Sequence, residues 1–105
     1  MVESRLTAAE RSELRSRLAA RAAELRVEVH EGLHPAVMDE VALAAVARDA
    51  NELELVNRAL ACIDLPEFGY CADCGTGIAL ARLFAEPYAT RCTRCQARFE
   101  SAARA

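Results

Sequence analysis

The 105-residue chain has no lysine, three prolines, four glycines and only 5% aromatic residues, and no apolar run in it approaches the length of a membrane span. The last absence excludes an expected spanning helix. The residues after Met1 also lack the basic-then-apolar order of an export signal, so the chain is expected in the cytoplasm with no membrane partner. All 13 basic residues are Arg, and 16 acids leave a net charge of −3. Sequence-blind coating of DNA needs a clustered basic surface, and sequence-specific DNA binding is not expected either. There is no internal repeat and no alternation of strand-like and helix-like segments. What remains is a chain rich in small helix formers: 23 residues are Ala, which bury little area each and fill a slender helical protein better than a wide core.

Glycine and proline are missing from two long stretches, residues 7–31 and 36–64. The first opens on Thr7-Ala8-Ala9-Glu10, a capping-box pattern that satisfies two unpaired backbone N–H groups at a helix start. Leu14, Leu18 and Leu25, with Ala22, form a narrow apolar stripe at helical spacing, and Glu13 is placed to pair with Arg17 one turn on. Gly32 is expected to end this helix in a left-handed conformation and Pro35 to open the next. The second stretch carries Val46, Leu53, Val56, Leu60 and Ile63, a coiled-coil seam interrupted by Asp49. Leu65-Pro66 closes it. A tight connection between two long helices predicts an antiparallel hairpin, an arm of roughly 38 Å at ~1.5 Å per residue. The arm is unevenly charged, since residues 36–64 hold six acids against two Arg. Asp39 and Glu40 fall in the first turn of the second helix, where acids also complement the helix dipole.

Four of the five cysteines follow in two Cys-x-x-Cys pairs, Cys71 with Cys74 and Cys92 with Cys95, with 17 residues between the pairs. Two intervening residues let both sulfurs of a pair face one ion, and the second pair completes a tetrahedron. Gly75 suits the tight turn in which N–H groups approach sulfur. Four thiolates close the shell, so the pattern predicts one structural Zn²⁺ and no open catalytic position. No nucleophile–base pair can be placed, and an enzyme is not expected. A redox dithiol would sit in a strand–helix pattern that is missing. Leu80, Leu83, Phe84 and Phe99 are the expected core of this small unit. Cys62 is expected as a small buried or half-buried apolar residue, and His30 and His34 as turn or surface residues. Arg91, Arg94 and Arg98 flank the second pair and offer cations to phosphate or to an acidic partner.

The fold class read from these features is all-α. An antiparallel coiled-coil hairpin (residues 1–65, bend near 31–36) precedes a four-cysteine zinc finger with a C-terminal helix (residues 66–105).

The segment FGYCADCGTGIALARLFAEPYATRCTRCQ resembles the zinc-finger signature of the DksA/TraR family. Phe68, Gly69, Tyr70, Cys71, Cys74, Gly75, Ile78, Arg82, Leu83, Ala85, Pro87, Cys92 and Cys95 stand at the signature positions. The resemblance implies a protein that binds bacterial RNA polymerase, with the coiled-coil arm entering the secondary channel and altering initiation at selected promoters. It implies partner-binding roles for Asp39 and Glu40 at the tip and for Arg48 at the channel rim. Family members that act strongly carry Asp-x-x-Asp-x-Ala at the tip, whereas the bend here reads His34-Pro35-Ala36-Val37-Met38-Asp39-Glu40. The basic residues that help other members bind ppGpp are replaced by Glu86 and Gln96, which argues against shared ppGpp binding. The alternatives are a zinc-stabilised interaction module without polymerase activity, and a weak nucleic-acid binder acting through the C-terminal Arg cluster.

Overall fold

The computed structural model describes residues 5–33 and 39–104. Four helices follow in order: α1 (Ala8–Gly32), α2 (Glu40–Cys62), α3 (Leu80–Ala85) and α4 (Thr93–Arg104). The expected capping box forms. Thr7 Oγ1 accepts from the Glu10 N–H at 3.0 Å, and the Thr7 N–H donates to Glu10 Oε1 at 2.8 Å. The stripe read from the sequence is the stripe that is buried, since Leu14, Leu18, Ala22 and Leu25 are each at most 1% exposed. From α2 it meets the buried Val56 and Ala59, with the half-buried Leu53 and Leu60 beside them and Ile63 at the helix end.

Cross-hairpin contacts set the direction. Arg11 donates to the Ile63 carbonyl, Arg15 pairs with Asp64, Arg21 pairs with Glu52, and Gly32 lies against Val46. Advancing along α1 means retreating along α2, so the hairpin is antiparallel. The Cα radius of gyration is 15.9 Å and the extents are 53 × 37 × 21 Å. A compact chain of this length would have a radius near ~13 Å, so the molecule is elongated, as an alanine-rich hairpin requires.

Burial reaches Leu25 on α1 but thins toward the bend. Toward the bend Val27, Leu33, Val41 and Leu43 are exposed, and no residue of α2 before Val56 is fully buried. The base shares one core with the cysteine segment: Leu6, Leu14, Leu18, Ile63, Ile78 and Leu83 belong to a single buried cluster with Cys71 and Cys95. Each fully buried aliphatic side chain contributes roughly 1.5–3 kcal/mol, so the small unit draws stability from the hairpin as well as from metal. Arg17 adds to the joint, donating to the Phe84 carbonyl at 2.9 Å with its guanidinium 5.0 Å from the Phe84 ring centroid.

Several expectations are corrected. Gly32 is the last residue of α1, not a left-handed cap: among the described residues only Gly69 and Gly75 have positive φ. A Cβ at Gly32 would lie 2.6 Å from Val46 Cγ2, so glycine serves the close approach of the two helices. The second helix begins at Glu40 with Asp39 as N-cap, because the Asp39 carboxylate accepts from the Ala42 N–H at 2.8 Å; Pro35, expected to open it, lies outside the described residues, as does His34. Cys62 is exposed, being about 100° round the helix from the buried Ile63. Phe99 is 50% exposed rather than core, and the Arg91 guanidinium lies 4.1 Å from its ring centroid. Leu83 is buried as expected, with Leu80 and Phe84 packed half-buried against the cluster. The second helix ends at Cys62, three residues before Leu65, in a turn where the Leu65 N–H donates to the Cys62 carbonyl.

Candidate metal centre

The first thiol pair sits on a knuckle between two short extended segments. Tyr70 and Gly77 form an isolated antiparallel bridge, and the Ile78 N–H donates to the Gly69 carbonyl at 2.8 Å. Inside it the Cys71 N–H donates to the Thr76 carbonyl at 2.7 Å and the Gly75 N–H to the Cys71 carbonyl at 2.9 Å, closing the turn. Gly75 reaches φ +76° there, which a side chain would resist. The second pair opens α4, where the Cys95 N–H points at Cys92 Sγ at 3.4 Å.

Several contacts hold the two pairs together without metal. The Ala72 N–H donates to the Thr90 carbonyl at 2.8 Å, Arg91 Nε to Asp73 Oδ2 at 2.8 Å, and Arg82 Nε to the Arg91 carbonyl at 3.0 Å. Asp73 belongs to the first pair and Arg91 immediately precedes the second, so their opposite charges register one knuckle against the other.

The four Sγ atoms of Cys71, Cys74, Cys92 and Cys95 lie within 4.8 Å of one another, with Cys74 and Cys92 3.8 Å apart. A tetrahedral zinc with Zn–S bonds near ~2.3 Å has sulfur–sulfur edges of about 3.8 Å. The donor set therefore fits one Zn²⁺, and four thiolates leave no position open for water or substrate. Cys71 and Cys95 are buried while Cys74 is exposed. The thiols divide their protons unequally. The Cys92 backbone N–H, ahead of smaller hydrogen-bond contributions, draws Cys71 down to about 6; Thr76, 3.0 Å from Cys74 Sγ, lowers Cys74. Its Cys92 neighbour first, and then burial, pushes Cys95 up to about 12. Crowded sulfurs resist full ionisation, and a divalent cation among them is the charge that resolves the conflict.

The other residues singled out in the sequence lie apart from this centre. Asp39 and Glu40 are exposed at the start of α2, and Arg48 is exposed further along it. Of the three C-terminal arginines, Arg91 is bound to Asp73 and stacked on Phe99, leaving Arg94 and Arg98 exposed on α4. Glu86 and Gln96 line one cleft of about 600 Å³ with Leu55, Tyr88 and Phe99. The reading of the sequence missed Asp73 and Thr76, and gave Arg82 a signature position without its contact to the Arg91 carbonyl. An acid inside one pair and a base ahead of the other was a legible signal for Asp73.

Residues 66–101 match the family model of the prokaryotic dksA/traR C4-type zinc finger. No curated protein matches the chain at significant similarity. Among solved structures, the chain is 30% identical to the RNA polymerase binding protein and transcriptional regulator Dks from Chlamydia trachomatis, with a TM-score of 0.65 over 92% of this chain and 94% of that one. Transcription factor DksA2 from Pseudomonas aeruginosa is 24% identical with a TM-score of 0.72, covering 93% of this chain and 88% of that one, a likeness of fold.

Proposed function

The chain belongs to the DksA/TraR family of C4 zinc-finger transcription regulators, and from that premise we propose that it binds bacterial RNA polymerase, its hairpin arm entering the secondary channel. The observation that carries the reading is the match, over nearly the whole of both chains, to a protein described as binding RNA polymerase. The form of the arm supports it. The half nearest the bend leaves Val27, Leu33, Val41 and Leu43 exposed, surface that a narrow channel would cover. The zinc centre is the rigid base, and the acids Asp39 and Glu40 are the partner-facing charges, suited to basic groups or a bound cation on the polymerase. Arg48 is assigned to the channel rim on the same reading.

Action without ppGpp rests on the sequence change to Glu86 and Gln96 alone, because the cleft they line also holds Arg91 and Arg82, the latter 3.6 Å from the Glu86 carboxylate. The engagement of Arg91 with Asp73 leaves Arg94 and Arg98 of the three-arginine cluster for the nucleic-acid alternative.

The test must separate charge from capping, because Asp39 holds the first turn of α2. Asn is as good an N-cap as Asp, so Asp39→Asn with Glu40→Gln removes the charges and keeps the helix start. The double variant is expected to compete with other secondary-channel proteins for polymerase as the wild type does, and to lose its effect in in vitro transcription with or without ppGpp. Failure of the wild type to bind polymerase at micromolar concentration would reject the proposal.

A further inference from the structure

Three glycines stand near the first knuckle, and backbone conformation accounts for two of them: Gly69 at φ +94° and Gly75 at φ +76°. Gly77 has no such demand. What it has is a neighbour from the far end of the chain. A Cβ on Gly77 would lie 2.7 Å from Arg5 Nε and 2.8 Å from its Cζ, and one on Gly69 would lie 3.4 Å from Arg5 Cδ. The Arg5 side chain therefore runs across the space these two glycines leave open. Its Nη1 donates to the Ile78 carbonyl and lies 3.4 Å from the Gly69 carbonyl, one group on each of the segments joined by the Tyr70–Gly77 bridge. Leu6, next in the chain, is 6% exposed within the core shared by hairpin and finger.

We propose that Arg5 is a positioning residue for the metal centre, a latch that ties both strands of the first knuckle to the start of α1 and slows release of the ion. The reasoning is mechanical. For zinc to leave, the Cys71–Cys74 knuckle must part from the Cys92–Cys95 pair, and that motion spreads the two segments at its base. A guanidinium bonded to a carbonyl on each side must break its bonds before they spread, and the buried Leu6 keeps it in place. The inference concerns this chain's own metal retention and holds whatever the arm contacts.

The test is the rate of zinc transfer from the full-length holoprotein to a chromogenic chelator. Groups that hydrogen-bond metal ligands change affinity about 10–100-fold; Arg5 acts on the backbone one step behind the ligands, and Arg5→Ala is expected at the low end, speeding transfer about tenfold. Gly77→Ala should do the same by displacing the guanidinium, and the double variant should be no faster than the faster single one. The cobalt-substituted proteins should keep the wild-type absorption spectrum, because the four thiolates are untouched. Leu25→Ala, at the end of the buried α1 stripe farthest along the chain from Arg5, should lower thermal stability and leave the transfer rate unchanged. The proposal is overturned if Arg5→Ala releases zinc at the wild-type rate, if the two single effects multiply, or if Leu25→Ala accelerates release equally.

Discussion

Replacing Gly32 by Ala sets two known effects against each other at one position. Ala is favoured over Gly by about 0.8–1 kcal/mol in a helix interior and by no more than that at the last helical position, and Gly32 carries no positive φ that would strain the new residue. On propensity alone the change should stabilise. The added methyl, however, would sit 2.6 Å from Val46 Cγ2, well inside van der Waals contact. Valine is stiff about χ1 and cannot swing aside cheaply, and overpacking of this kind costs roughly 1–3 kcal/mol. The net expectation for Gly32→Ala is a loss of about 1 kcal/mol. Removing the obstacle reverses the sign. In a Val46→Ala background the same substitution should stabilise by up to about 1 kcal/mol, a coupling near ~2 kcal/mol. Urea unfolding followed by far-UV circular dichroism, with zinc saturating and thiols reduced, measures all four corners of the cycle. Equal effects of Gly32→Ala in the two backgrounds would show that the helices do not approach each other as described.

Cys95→Ser should abolish stoichiometric zinc by elemental analysis, because the buried fourth thiolate completes the shell; full zinc content in that variant would refute the four-sulfur site. The Glu52 carboxyl is held below its ordinary range by the hydrogen bonds Arg21 donates at 2.8 and 3.0 Å. A depressed folded-state value means that the contribution is present above the unfolded value near ~4.3 and disappears as pH falls through the folded one. With Arg21 37% and Glu52 26% exposed, solvent screening limits the effect, so Glu52→Gln should cost under about 1 kcal/mol at neutral pH. The gap between the two proteins should close in acid, and acid release of zinc, common to both, cancels in that difference. A gap that persists or widens in acid would remove Arg21 as the cause.

Much of this protein is local in origin, and the local part is readable from residue order. Thr7 and Glu10 cap a helix because they are three residues apart, Leu14, Leu18, Ala22 and Leu25 share a face because of the helical period, and two Cys-x-x-Cys pairs imply a four-sulfur metal site because two residues suffice to turn a pair toward one ion. What residue order left open are particular contacts with a distant neighbour. Gly32 reads as a helix terminator until Val46 is seen beside it, Phe99 reads as core until the cleft exposes it, and Arg91 reads as a free cation until Asp73 is found 2.8 Å away. Arg5 and Gly77, 72 positions apart in the chain, carry no mutual signal at all. Helical period and knuckle spacing act over a turn or two of backbone, whereas these contacts arise where the folded hairpin and the finger close on one shared core, and no pattern along the chain encodes where that closure falls.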